Sequence, residues 1–414
     1  MTHNIANENN RNNEKKAWLI VLIVYLASIS VTISMMKVPP VMKVLIRDFN
    51  TNMTTGGLFM SAFMVAGVIL AIPVASFLDW WGPKMCGLIA LGCTIFGSIF
   101  GSLAQESPII LLIGRIIEGI GFAGIMVIAP AVISMWFEPQ KRGLPMGIWA
   151  TWVPVGMFIA YNLAKPLELA FSWRGLWWFN AIFALITFLA YERVVDYPVE
   201  AKSKGRGKLS SKFQAQLSQG LNNLNIWLLT FIFFIIGLVL QGYGNWLPSF
   251  LIDSGAKATV ANFNASLISM GAIPAVVIAG LILTCTKKHK DVLIIGLMLS
   301  TMAFSLWFKI GSVSAPIPWM LAIGFFSGLV PTCIFTMATE NTSRPEFIGI
   351  ALALVNMGFN FGAMIGPPII GVVVTKVGWV AVKYFVTIPI IIGIVFALTI
   401  RTKQTTTTCK EGHF

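Results

Sequence analysis

Runs of about twenty apolar residues, broken by short polar stretches, recur from Ala17 to Ile400. A bilayer core is about 30 Å thick, and a helix rising about 1.5 Å per residue crosses it with about 20 apolar residues. Hydrocarbon offers the backbone no hydrogen-bond partner, so spans of this kind must be helical. The pattern predicts twelve of them, at 17–38, 56–78, 84–104, 108–136, 144–164, 174–193, 224–250, 262–284, 291–311, 317–339, 346–374 and 379–400. The fold class expected is an all-α polytopic membrane protein.

Polar segments divide this array. Residues 194–223 form the one long polar segment between spans, rich in Lys and Arg, and they separate six spans from six. The expected organisation is a cytoplasmic tail (1–16), a first six-helix bundle (17–193), a basic cytoplasmic linker (194–223), a second bundle (224–400) and a cytoplasmic tail (401–414). Blocks of nearly equal length suggest a duplicated unit. One offset pairs Lys37 with Asn245 and Pro40 with Pro248; another, close to it, pairs Gly143 with Gly349 and Gly156 with Gly362.

Composition sharpens the class. Of 414 residues, 57% are hydrophobic and only 11% charged, against about 25% charged in ordinary globular domains. A soluble fold is excluded. The net charge of +13 could signal a polyanionic partner, but most Lys and Arg fall in the amino-terminal tail, the linker, the carboxy-terminal tail and alternate short loops. That is the positive-inside bias, and it places both termini in the cytoplasm with the chain in the cytoplasmic membrane. Nucleic acid is not expected as a partner. The five cysteines lack metal-ligand spacing, so neither a metal nor a cofactor is expected.

Three short motifs then appear in order. Asp79-Trp80-Trp81-Gly82-Pro83-Lys84, with Ala75 before it, follows the second span. Gly114-Arg115-Ile116-Ile117-Glu118-Gly119-Ile120-Gly121 opens the fourth, and Trp136-Phe137-Glu138-Pro139-Gln140-Lys141-Arg142-Gly143 closes it. Together they resemble the loop and span-four signatures of the major facilitator superfamily. Ala75, Trp80 and Pro83 depart from the loop pattern. The resemblance implies two pseudo-symmetric six-helix bundles that rock about a central site, with Asp79, Lys84 and Arg142 at a cytoplasmic gate. The segment Met146-Gly147-Ile148-Trp149 through Gly156, followed by Trp173-Arg174-Gly175, is more similar to the cyanate-type and related anion transporters of that superfamily.

Ionisable groups inside hydrocarbon are costly and therefore candidates for function. Arg115 and Glu118 lie one turn apart on one face of span four; they read either as a proton-coupling pair or as a static ion pair. Lys37, near the outer end of span one, reads as an anion ligand or as a snorkelling interfacial lysine. A buried lysine with few carboxylates near it would favour an anion. Gln241 and Asn245, with Tyr243 between them, and Asn356 and Asn360 share faces at i,i+4. These amides read as solute ligands or as helix–helix hydrogen bonds. Tyr25, Trp149 and Trp152 could form an aromatic wall, and Glu340 a further part of the inner gate.

The expected activity is therefore secondary active transport of a small organic or inorganic anion, coupled to protons. Substrate contacts would come from Lys37, Tyr25, Arg115, Trp149, Trp152, Gln241, Tyr243, Asn245, Asn356 and Asn360, with Glu118 and Arg115 carrying the proton coupling. The partners expected are the anion, the coupling proton and membrane lipids, with a single chain as the working unit. The rival is a proton-driven exporter of hydrophobic or cationic compounds. A membrane enzyme is not expected, because no phosphate loop or nucleophile constellation appears.

Overall fold

The computed structural model describes residues 2–70, 73–105, 107–138, 141–196, 223–286, 288–310, 316–342 and 348–400. The first half runs α1 (Thr2–Met36), α2 (Met42–Asp48), α3 (Met53–Leu70), α4 (Pro73–Ser102), α5 (Pro108–Trp136), α6 (Gly143–Ala150), α7 (Trp152–Phe171) and α8 (Arg174–Val194). The second runs α9 (Leu224–Asp253), α10 (Ala258–Cys285), α11 (His289–Ile310), α12 (Pro316–Glu340), α13 (Ile348–Val377) and α14 (Val382–Thr399). Eleven stretches among the described residues are long and apolar enough to cross a membrane. The remaining expected span, 291–311, coincides with α11. Most of the linker (197–222) and the carboxy-terminal tail lie outside the described residues.

Local chemistry sets where the helices start and stop. The first helix begins at Thr2, so the polar amino-terminal stretch continues the helix of the first span. It ends at Met36 because Pro39 and Pro40 have no N–H to give the carbonyls four residues back. A 3₁₀ turn at Pro39–Val41 redirects the chain into α2. In α4 the helix breaks at Gly82, whose φ of 75° and ψ of 165° favour glycine, and Pro83 follows. The loop expected at 79–83 is thus a kink inside one long element. The fifth expected span is two helices, α6 and α7, meeting at Thr151.

In the first half α4 packs on α5 and α8, and α1 on α5, α7 and α8; in the second α9 packs on α13 and α14, and α10 on α12. The duplicated pattern is visible in this packing. A Cβ on Gly156 of α7 would meet Thr32 of α1, and one on its offset partner Gly362 of α13 would meet Phe234 and Leu238 of α9. The symmetry fails at the Lys37–Asn245 pair. Lys37 sits in the break after α1, whereas α9 continues through Asn245 and Pro248 to Asp253.

One end of the bundle carries Asp196 and Asn223, which flank the linker in sequence; the far end carries residues 37–52, 103–105 and 254–257. The halves meet through α3 on α13 and α7 on α10. A Cβ on Gly57 would lie 2.6 Å from the Pro368 backbone, and Gly371 faces Met53 just as closely. Lys43 pairs with Asp253, Ser61 donates to the Met364 carbonyl, and Asn162 donates to Ser266 at 3.4 Å. These contacts lie in the far-end half of the molecule, and Asn360 lies 3.4 Å from a Cβ built on Gly67 nearer the linker end.

Candidate functional site

Three ionisable side chains from two elements converge inside the first half, each with no exposed surface. They are Lys37, Arg115 and Glu118. Burying a charge this deeply demands a partner, and each has one. The carboxylate of Glu118 accepts from Lys37 on Oε1 and from Arg115 on Oε2. With all three ionised the cluster carries one excess positive charge.

The backbone of α1 explains why Arg115 is there. Pro39 leaves the Met35 carbonyl without its helical donor, and the Arg115 guanidinium donates to Met35 O at 3.3 Å and to Ser34 O at 2.5 Å. Its Nε also donates to Phe59 O of α3 at 3.2 Å. Arg115 therefore ties the end of α1 to α3 and α5. Most of its donors are spent on these carbonyls and on Glu118.

A second layer comes from α4 and α8. Ser98 Oγ lies 2.6 Å from Glu118 Oε1, 3.1 Å from Lys37 Nζ and 3.0 Å from Asn180 Nδ2. Close approach of α4 and α5 makes this possible. Gly101 and Gly114 face each other so tightly that a Cβ on Gly114 would lie 2.9 Å from the Gly101 backbone. The Lys37 ammonium also sits 4.5 Å from the Trp177 ring centre and Arg115 4.6 Å from that of Phe63, contacts of cation–π type. Ser30 and Ser34, on the same face of α1, are buried with hydroxyls that find no hydrogen-bond partner among the described residues.

An aromatic series leads away from the cluster. Phe63 packs on Phe122 at 5.3 Å, Phe122 on Trp152 at 6.0 Å, and Trp152 stacks on Trp149 at 5.9 Å with 18° between planes. Trp149 Nε1 donates to Ser28 at 2.9 Å, and the Tyr25 hydroxyl lies 2.8 Å from that of Thr151.

The long apolar helices in two halves are the arrangement the motifs implied, and comparison with known proteins decides the family. The family model described as Major Facilitator Superfamily matches residues 24–345, and again 253–412. The chain belongs to this superfamily. It is 25% identical over 331 residues to an agnestins efflux protein of Paecilomyces divaricatus, covering 78% of this chain and 73% of that one. It is 23% identical over 321 residues to the cyanate transport protein of Escherichia coli, covering 72% and 78%. The crystal structure of a D-xylose-proton symporter superposes with a TM-score of 0.70 at 16% identity, over 92% of this chain and 96% of that one.

Within this superfamily member the other candidate residues fall into separate groups. Lys37 is not a lysine remote from carboxylates, as its sequence neighbourhood suggested, but the direct partner of Glu118. Gln241, Asn356 and Asn360 are partly buried and Asn245 nearly fully so. Helix α9 meets α13 through glycines, a Cβ on Gly242 lying 3.3 Å from the Gly366 backbone. Asn360 faces Gly67 of α3 across the two halves, its amide 3.4 Å from a Cβ built there. Tyr243 is buried edge-on against Phe304 of α11.

The expected gate residues bond within their own halves. Lys84 donates to Asp196 at 3.2 Å, and Lys16 approaches the same carboxylate at 3.6 Å. Arg142 donates to Phe137 O and Ser134 O. Glu340 meets His289 at 2.9 Å, and the other ring nitrogen of His289 lies 2.9 Å from Leu283 O. The side chain of Asp79 lies outside the described residues, as does all of Arg344, four positions after Glu340 in sequence. Sequence reasoning missed Ser98, Asn180, Trp177 and Asp196. Ser98 and Asn180 are ordinary polar residues in spans three and six, and no motif marks them.

Proposed function

We propose that this protein is a proton-coupled importer of a small anion, working by alternating access. The reading rests on the excess positive charge of the buried Lys37–Glu118–Arg115 cluster. With Glu118 ionised the cluster holds one positive charge beyond neutrality; with Glu118 protonated it holds two. An anion entering the protein is therefore held more tightly when a proton is bound, and by reciprocity the anion raises the protein's affinity for the proton. Cotransport of a proton also offsets the cost of importing a negative charge against the membrane potential, about 2.3 kcal/mol per charge per 100 mV.

In this reading the amides Gln241, Asn245, Asn356 and Asn360 hydrogen-bond the solute, and Tyr25, Trp149 and Trp152 wall the same space. Lys37 senses the anion's charge, and Arg115 holds α1 and Glu118 in place. The basic linker puts the linker end in the cytoplasm, so the far-end contacts correspond to an inward-facing state closed to the outside. Lys84, Arg142 and Glu340, together with Asp79, would then change partners when the cytoplasmic side closes. The similarity to a cyanate transport protein supports a small anion, and the likeness to a proton symporter is in keeping with a proton-driven cycle.

One observation favours a second reading, export of hydrophobic compounds. A relative matched over 78% of this chain is named as an efflux protein, and the aromatic series offers an apolar surface. Ligand-induced thermal stabilisation of the purified protein separates the two, because a ligand of the folded state raises its melting temperature. Small carboxylates and inorganic anions are tested beside lipophilic cations. Stabilisation by an anion, lost in Lys37→Gln, is expected. Stabilisation by lipophilic cations alone would overturn import in favour of efflux.

A further inference from the structure

Resting on the proton-coupling reading of Glu118, we propose that Ser98 and Asn180 are positioning residues that form a hydrogen-bond switch, setting the proton affinity of Glu118 and accommodating both of its protonation states.

A hydroxyl has one proton to donate and two lone pairs. At Ser98 both lone pairs are claimed, by Lys37 Nζ at 3.1 Å and by Asn180 Nδ2 at 3.0 Å. The single Ser98 proton is then directed to Glu118 Oε1, 2.6 Å away. A hydrogen bond of that polarity favours the ionised carboxylate. Asn180 makes no direct contact with Glu118 in this arrangement; it acts by fixing which way the Ser98 proton points.

The protonated state needs the opposite polarity. A neutral Glu118 becomes a donor on the oxygen that carries the proton, and Ser98 Oγ is the nearest neutral acceptor. Ser98 must then send its own proton elsewhere. Asn180 Oδ1 is fully buried and has no hydrogen-bond partner among the described residues. Rotating the Asn180 amide by half a turn presents that oxygen to Ser98. The proton arrives from solution at Glu118, the Ser98 hydroxyl turns, and the amide flips, with no bond broken beyond hydrogen bonds. An otherwise orphaned amide oxygen beside a titrating carboxyl thus has a use in the second state.

The groups that face Glu118 leave Ser98 as the adjustable one. Lys37 comes from the end of α1 and Arg115 from α5 itself; α4 contributes Ser98, α8 contributes Asn180, and α3 contributes the Phe59 carbonyl and the Phe63 ring through Arg115. No second carboxylate is among them. Lys37 and Arg115 are cationic donors to Glu118, and among the described residues only the Ser98–Asn180 pair can reverse the direction of a hydrogen bond to it.

Infrared difference titration of the purified full-length protein tests this without any transported ligand, the proton itself being the probe. The carboxylic-acid carbonyl band that vanishes in Glu118→Gln is assigned to Glu118. The Ser98 bond to the ionised carboxylate is charge-assisted and about twice as strong as the neutral bond that replaces it, so in Ser98→Ala the midpoint is expected to move up by about one pH unit, a tenfold gain in proton affinity. Asn180→Ala is expected to shift it the same way by less, and Ser98→Thr, which keeps the hydroxyl, to leave it near the wild-type value. A midpoint unchanged in both Ser98→Ala and Asn180→Ala overturns the switch while leaving the coupling reading intact. A wild-type protein with no titrating Glu118 band removes the coupling reading as well. Should Ser98→Ala fail to fold, Asn180→Ala decides alone: a raised midpoint supports the switch and an unchanged one overturns it.

Discussion

Lys37 and Glu118 form an ion pair with neither side chain exposed, although 81 residues separate them along the chain. The lysine lies one residue beyond the last turn of α1, where the two following prolines halt the helix. It closes a three-group cluster that carries one excess positive charge when all three groups are ionised.

Removing the carboxylate leaves two buried cations facing each other, whereas removing Lys37 leaves a neutral Arg115–Glu118 pair. Breaking a buried pair typically costs about 3–5 kcal/mol. Glu118→Leu is therefore expected to destabilise by at least that much, and Lys37→Met by distinctly less. Denaturant or thermal unfolding in one detergent checks the order; equal losses would mean the cluster is not electrostatically unbalanced.

Arg115 also has a structural task that lysine cannot perform. Its planar guanidinium reaches Ser34 O, Met35 O, Phe59 O and Glu118 together, and an ammonium on a flexible stem lacks that fork. Arg115→Lys is expected to lower the melting temperature and to raise hydrogen exchange in the last turn of α1. Unchanged protection at 33–37 would show that the carbonyls do not depend on Arg115.

The far-end seal depends on the absence of side chains where α3 crosses α13. A Cβ on Gly57 would press into the Pro367–Pro368 backbone, which cannot yield cheaply. Gly57→Leu is expected to hold the far end apart and to slow or abolish transport while the protein still folds. Spin labels on the far ends of α3 and α13 should report a longer separation than in the unmodified protein. Lys43→Ala, which removes a half-exposed pair worth at most about 1 kcal/mol, should shift the same distance only slightly.

Asp196 gives a pH signature outside the spans. The hydrogen bond from Lys84, with the charges of Lys84 and Lys16, holds its carboxyl below the ordinary aspartate value. A carboxylate depressed in the folded state adds stability above the unfolded value, and that stability is lost as pH falls through the folded value. The melting-temperature gap between wild type and Asp196→Asn should be present at neutral pH and close below about pH 4. Because the side chain is half-exposed, the gap will be small. A gap that persists undiminished at low pH would point to a cause other than charge.

Much of this was legible in the sequence because hydrophobic length is a strong signal. The spans, the six-plus-six division and the family follow from apolar runs and three motifs. The i,i+3 spacing of Arg115 and Glu118 placed both on one face without any structure. What the sequence left open depends on contacts between distant helices. It did not show that Lys37 reaches Glu118, nor that Ser98 and Asn180 complete the cluster, because span order does not say which faces meet. The surroundings of Asn360 were also open, since span order does not show that it faces Gly67 of α3 across the two halves. Lys84 looked like a gate residue from its motif, yet here it binds Asp196, which no motif marks.

If Glu118 couples a proton to anion import, uphill uptake must depend on its carboxyl group. Wild-type and Glu118→Gln proteins are reconstituted in liposomes, and a panel of radiolabelled small carboxylates and inorganic anions is offered under an imposed pH gradient, alkaline inside. The wild type should accumulate at least one anion above its external concentration, and Glu118→Gln should exchange that same anion without accumulating it. Equal accumulation by both proteins, or gradient-driven movement of lipophilic cations with no anion uptake, would refute proton-coupled import through Glu118.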